Sequence, residues 1–224
     1  MNDKKIDGSK RKFLKMVSIG SAVVAFAGFV PSLSFLIPRS VGLTSFPTLT
    51  LVKPDGTPIH TSDILPNNAQ IVLFQYPLSN EPSFLLNLNK SVPGGLGPKN
   101  SVVAYSAICQ HLGCEPPSIK YYPPGSKKVD KYVVGDYIHC ACHGSTYDPS
   151  DKAKIITGPA KYPLPTVELS YDSSTDTYKA TKMGKPVIYG RKDWPNGSLD
   201  NDLRGGDPIK TEGKTDVYIL TKTS

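Results

Sequence analysis

Cys109-Gln110-His111-Leu112-Gly113-Cys114 and Cys140-Ala141-Cys142-His143-Gly144-Ser145 hold all four cysteines of this 224-residue chain and two of its four histidines. Each stretch supplies one Cys and one His at a metal-ligand spacing, Cys109-x-His111 and Cys140-x-x-His143. Each leaves one cysteine over, Cys114 and Cys142. A chain that places every cysteine in two matched loops is building one site. Two Cys and two His can hold zinc tetrahedrally, and a zinc-binding surface domain is the reading without redox chemistry. The ligand order, the two spare cysteines and the Ser145-Thr146-Tyr147 run that follows fit zinc poorly.

Outward from the two boxes the chain reads as β structure. Twenty-one Pro, nineteen Gly and twelve Tyr with 38% hydrophobic residues describe a loop-rich β protein rather than a helical one. Residues 101–107 are the strand that delivers the first box, and 132–139 return as a strand into the second. Residues 49–52, 71–76 and 84–88 are further apolar, strand-like runs, with a turn at Asp55-Gly56. Residues 92–98 are a Gly/Pro surface loop. Residues 167–170 and 177–181 alternate as a hairpin around Asp172-Ser173-Ser174-Thr175, 186–189 pair nearby, and 216–222 close the domain as a strand. Between the boxes, residues 115–131 carry Pro116, Pro117, Pro123, Pro124 and Gly125 and read as an exposed excursion. His139 adjoins Cys140, but neighbours on an extended chain point oppositely, so it is a strand residue and not a ligand. His60 is a surface or turn histidine. Residues 191–213, which include Trp194, are a polar solvated loop with no chemistry assigned.

The boxes closely resemble those of Rieske iron–sulfur proteins, in the disulfide-containing branch of quinol-oxidising, cytochrome bc-type respiratory complexes. The match is Cys-x-His-Leu-Gly-Cys, then Cys-x-Cys-His-Gly-Ser-x-Tyr-Asp from Cys140 to Asp148. The resemblance implies a [2Fe–2S] cluster with Cys109 and Cys140 on one iron and His111 and His143 on the other. Replacing two thiolates by neutral imidazoles makes the centre less negative, so an electron is added more easily. An imidazole ligating through one nitrogen leaves the other to gain or lose a proton. Electron and proton uptake are thus coupled, and His111 and His143 become the residues that meet quinol. The resemblance further implies a disulfide between Cys114 and Cys142, which points to an oxidising compartment and away from Rieske ferredoxins that feed oxygenases. It implies hydrogen bonds to the cluster from Ser145 and Tyr147, and shielding by Leu112 and by Gly158-Pro159. Lys161 and Ala141 stand where prolines are common. The implied fold is all-β: an antiparallel base with an inserted two-loop cluster-binding subdomain, about residues 107–162. The Tyr-rich head with sparse Arg is more like archaeal than mitochondrial members.

The N-terminus carries most of the excess charge. The chain is +7 overall, but residues 1–40 hold seven Lys/Arg against two Asp, so nothing in the remainder asks for nucleic acid as a partner. Lys4, Lys5, Lys10, Arg11, Lys12 and Lys15 precede a charge-free stretch, residues 16–37, long enough to span a bilayer. The basic flank predicts a cytoplasmic N-terminus and a single-pass anchor with the head on the extracytoplasmic side of the cell membrane. Residues 1–15 are a basic cytoplasmic tail in which Ser9 to Lys15 resemble a twin-arginine export signal, with Lys10 for the first Arg and no clear cleavage site after the apolar run. Residues 38–45 are the tether and 46–224 the Rieske domain. With no haem-attachment motif and no dinucleotide fingerprint, the chain is expected to act as an electron-transfer subunit. It takes an electron and a proton from quinol and passes the electron to an acceptor cytochrome beside a cytochrome b-type subunit.

Overall fold

The structure is a computed structural model and describes residues 44–79, 81–126, 136–184 and 213–220. Among these residues no helix is long and apolar enough to cross a membrane. The expected signal, anchor and most of the tether lie outside the described residues, as do 186–189 and nearly all of the polar 191–213 stretch.

The fold is all-β, and the described residues form twelve strands in three four-stranded sheets. The first sheet has the order β11-β1-β10-β9, from β1 (Thr44–Val52), β9 (Val167–Asp172), β10 (Thr177–Met183) and β11 (Lys214–Asp216). The second has the order β12-β2-β3-β4, from β2 (Ile71–Gln75), β3 (Pro82–Asn87), β4 (Val102–Ser106) and β12 (Tyr218–Leu220). These two sheets are the base. The third, β5-β6-β7-β8, is formed by Ile119–Tyr122, Tyr137–Cys140, Thr146–Asp148 and Lys154–Thr157. It carries the cysteine boxes.

The second sheet is the middle layer, and its strands show why. Phe74, Leu85, Val102 and Ala104 join a core with Leu49, Leu51, Leu169, Tyr178 and Ala180 of the first sheet. Their neighbours Leu73, Phe84, Leu86, Val103 and Tyr105 join another core with Ile119, Tyr121, Ile138 and Tyr147 of the third sheet. Alternate side chains of β2–β4 therefore serve opposite cores. A strand covered on both faces reads as a continuous apolar run rather than an alternating one, which is the pattern of 71–76 and 84–88. The β9–β10 hairpin has one covered face and alternates instead.

Three features differ from the expectation. The base is not wholly antiparallel: β11 runs parallel to β1, pairing Thr50 with Lys214 and Val52 with Asp216. The chain then crosses to the second sheet at the buried Val217, so what reads as one closing strand is two short strands in different sheets. Second, 115–131 is not simply an excursion. Prolines flank residues 118–122, but Ile119 and Tyr121 point inward and β5 pairs along β6. The inserted segment thus has a sheet of its own beneath the cysteine boxes. Third, β1 begins at Thr44, inside the stretch read as tether.

The insertion leaves and rejoins the base at one place. Ser106 N–H donates to the Pro165 carbonyl (2.8 Å) and Ala107 N–H to that of Pro82 (2.8 Å). Farther out, the buried Tyr105 hydroxyl donates to the Pro149 carbonyl (2.9 Å), and Lys90 of the base pairs with Asp136 ahead of β6 (2.8 Å). These ties and the shared core hold the third sheet on the base.

Candidate metal centre

The two boxes are the same turn built twice. In the first, Cys109 N–H donates to the Cys114 carbonyl (2.9 Å) and Gly113 N–H to that of Cys109 (3.0 Å). In the second, Cys140 N–H donates to the Ser145 carbonyl (2.8 Å) and Gly144 N–H to that of Cys140 (3.0 Å). The fifth residue of each turn has a positive φ, +77° at Gly113 and +82° at Gly144. Only glycine takes such a conformation without steric cost, which explains the spacing from Cys to Gly in both boxes. Ala141 N–H also donates to the Ser118 carbonyl (2.7 Å), pinning the second turn to the segment entering β5.

The turns bring the four candidate ligands together in an ordered way. Cys109 and Cys140 are buried and free of disulfides. His111 is half-buried and His143 exposed, with ring centroids 4.8 Å apart at 82°. Sulfur donors therefore lie inside and imidazoles at the rim. Cys114 and Cys142 form a disulfide that links the boxes. Cys140 Sγ lies within 4.8 Å of both of those sulfurs. Since those two are consumed by the disulfide, this sulfur triplet is not a ligand set.

The two free thiols face each other and do not ionise alike. The Cys109 pKa is lowered, chiefly because the Cys140 thiol donates to it, with further hydrogen bonds from Tyr147, the His111 amide and Ser145. The Cys140 pKa is raised by the same pairing and by burial. Tyr147 is fully buried, with its hydroxyl 3.4 Å from Cys109 Sγ and 3.1 Å from the Gln110 amide nitrogen. Burial pushes its pKa up, so it stays a neutral donor. The Ser145 hydroxyl, also buried, accepts from Ala160 N–H at 3.1 Å.

Residues 61–168 match the Rieske [2Fe-2S] domain. That segment is a Rieske [2Fe-2S] domain. The chain is similar to the cytochrome b6-f complex iron-sulfur subunit of Desmonostoc sp., with 28% identity over 160 residues, covering 70% of this chain and 76% of that one. It is also similar to the cytochrome bc1 complex Rieske iron-sulfur subunit of Streptomyces lividans, with 30% identity over 122 residues, covering 54% and 61% of the two chains. The soluble domain of Rieske protein II from Sulfolobus acidocaldarius is 29% identical, covers 64% of this chain and 81% of that chain, and has a TM-score of 0.48.

The residues fit a Rieske cluster on a feature of this chain itself. His111 Nδ1 is buried and has no hydrogen-bond partner. A buried polar nitrogen left unpaired is costly, and a metal ion removes that cost. Two facing thiols and an unpaired imidazole nitrogen beside a second imidazole make up the Cys₂His₂ donor set that such a cluster takes.

Around these donors the structure sorts the remaining expected residues. Leu112 stands at the rim, 50% exposed. Gly158 lies against the second box with φ +99°, next to the exposed Pro159 and the buried Ala160. Lys161 and Tyr162 are exposed. His139 accepts or donates at Nδ1 to the Thr146 hydroxyl (2.8 Å) on the sheet, away from the donor set. His60 caps a short 3-10 turn, Thr61–Asp63, and meets the Asp176 carbonyl at 3.1 Å. The sequence gives no sign of Gln110's part. It is 5% exposed, with its carboxamide Nε2 donating to the Ile108 carbonyl at 3.1 Å. Its place in the motif is the unspecified residue between ligands.

Proposed function

We propose that this Rieske protein is the electron carrier of a quinol-oxidising complex, taking one electron and one proton from quinol and passing the electron to a cytochrome. In this reading Cys109 and Cys140 hold one iron and His111, through Nδ1, and His143 hold the other. The observation that carries it is the sorting of donors by depth: buried thiols, rim imidazoles and an unpaired His111 Nδ1 in a domain of the Rieske family. The similarity to b6-f and bc1 iron-sulfur subunits supports the same role. The proposal includes a cytochrome b-type partner, a membrane anchor over residues 16–37 and an extracytoplasmic head.

When bound, the cluster supplies a one-electron acceptor whose potential the protein sets. The chain's own residues do the rest. His143, exposed at the rim, accepts a hydrogen bond from a quinol hydroxyl and takes its proton on the imidazole nitrogen left free. Leu112, half exposed at the rim, gives the quinol ring an apolar contact. The Cys114–Cys142 disulfide and the paired turns keep the two imidazoles in register as charge changes. Tyr147 and Ser145 donate toward the sulfur side, which favours the reduced, more negative state.

The test is a potentiometric titration of the purified full-length protein followed by EPR at several pH values. Rieske potentials span about −150 to +300 mV. A Rieske signal with a potential in the upper part of that range, falling as pH rises above neutrality, is the expected result. A low potential independent of pH would place the protein with ferredoxin-type carriers. A colourless protein with stoichiometric zinc would discard the iron–sulfur role.

A further inference from the structure

We infer that Gln110 is a positioning residue: its buried carboxamide holds the first box in the conformation that lets its own backbone N–H orient the Tyr147 hydroxyl toward Cys109. The inference rests on Cys109 being a cluster ligand, as proposed above.

The direction of the hydrogen bonds follows from donor capacity. A backbone N–H can only donate, so at 3.1 Å the Tyr147 oxygen is the acceptor of the Gln110 amide. The hydroxyl has one proton, and its other polar neighbour is Cys109 Sγ at 3.4 Å. A ligating cysteine is a thiolate and has no proton to give. The chain therefore runs Gln110 N–H to Tyr147 Oη–H to Cys109 Sγ. A hydroxyl that accepts a bond donates a stronger one, so the Gln110 amide both aims and sharpens the Tyr147 donor.

What keeps that amide in place is the Gln110 side chain. Glutamine is seldom buried, and burying a carboxamide is costly unless it is bonded. Here it is 5% exposed and donates back to the carbonyl two residues earlier, that of Ile108 (3.1 Å). Ile108 N–H is held in turn by the Ser106 hydroxyl (3.3 Å). Both polar groups of Ile108 are thus tied, and the Ile108-Cys109-Gln110 backbone has little freedom to turn its amide away from Tyr147. Removing the carboxamide frees the Ile108 carbonyl and lets the turn relax.

The decisive experiment compares midpoint potentials of the full-length, cluster-containing protein with Gln110→Met, which keeps the length of the side chain but not its donor, with Tyr147→Phe, and with both together. The expected result is a lower midpoint for Gln110→Met, a lower one for Tyr147→Phe, and no further fall in the double variant. The pH dependence of the midpoint is expected to be unchanged in Gln110→Met, because the imidazoles are untouched. An unshifted midpoint in Gln110→Met, or the same shift in both backgrounds, would overturn the inference. So would loss of the cluster from Gln110→Met but not from Tyr147→Phe, since a residue acting through Tyr147 cannot cost more than Tyr147 itself. Absence of a Rieske EPR signal from the wild-type protein would instead bring down the proposed function, and this inference with it.

Discussion

Replacing Gly158 by alanine tests whether the loop over the centre is seated by backbone-to-backbone contact. Gly158 has φ +99°, and an added Cβ would lie 2.5 Å from Ser145 Cα, 2.6 Å from the Gly144 oxygen and 2.7 Å from Ser145 nitrogen. All three are main-chain atoms of the second box, so no side chain can swing aside. Three terms set the cost. The left-handed backbone costs an L-residue roughly 1–2 kcal/mol. The steric overlap costs about 1–3 kcal/mol, the range for overpacked sites. Restricting the unfolded chain returns about 0.4–1 kcal/mol. The expected net loss is about 1–5 kcal/mol, or about 2–4 °C of melting temperature per kcal/mol for a domain of this size.

Gly56→Ala is the control for that variant. Gly56 has φ +81° and nothing within 4 Å of an added Cβ, so it carries the backbone term without the overlap. Urea denaturation of both variants separates the terms, and the cluster's visible absorption and EPR line shape report on the centre. Gly158→Ala is expected to lose more stability than Gly56→Ala and to disturb the cluster signal, while Gly56→Ala leaves that signal alone. Equal destabilisation of the two, within about 0.5 kcal/mol as expected of surface changes, would refute the reasoning.

Changing both Cys114 and Cys142 to serine opens a link across a sequence separation of 28. On the chain-entropy argument this costs about 3–4 kcal/mol, visible as a lower melting temperature; an unchanged one would show that the link does not restrain the unfolded chain. Asp176 predicts an acid-sensitive fastening of the base. Burial opposes its charge, but hydrogen bonds from Thr61 and Tyr171 outweigh it and lower its pKa. A lowered folded pKa means the stabilisation is present above the ordinary Asp value, about 4, and is lost as pH falls through the folded value. Asp176→Asn, tolerated at the residue's φ of +52°, is expected to be less stable than wild type at neutral pH in urea titrations, with the gap closing below pH ~4. A gap that does not change with pH would refute this.

What the sequence alone determined is the family to which the two cysteine boxes point and much of the local structure. The spacings Cys109-x-His111 and Cys140-x-x-His143, each followed by glycine at the fifth turn position, specify two similar ligand turns before any contact is known. The alternation of β9 and β10 and the unbroken apolar runs of β2 and β3 also read directly, because side-chain periodicity reports how many faces of a strand are covered. Partnership was decided only in three dimensions. The segment Ser118-Ile119-Lys120-Tyr121-Tyr122 is short and framed by prolines, and becomes a strand because β6 offers an edge and the middle sheet covers Ile119 and Tyr121. Strand β11 is parallel to β1 because the chain returns from afar, a pairing without local signature. The Tyr105 tie to Pro149, the unpaired His111 Nδ1 and the Gln110–Tyr147–Cys109 chain likewise depend on atoms brought together across many residues. Periodicity and spacing are properties of neighbours along the chain, whereas the environment that tunes a metal centre is set by neighbours in space.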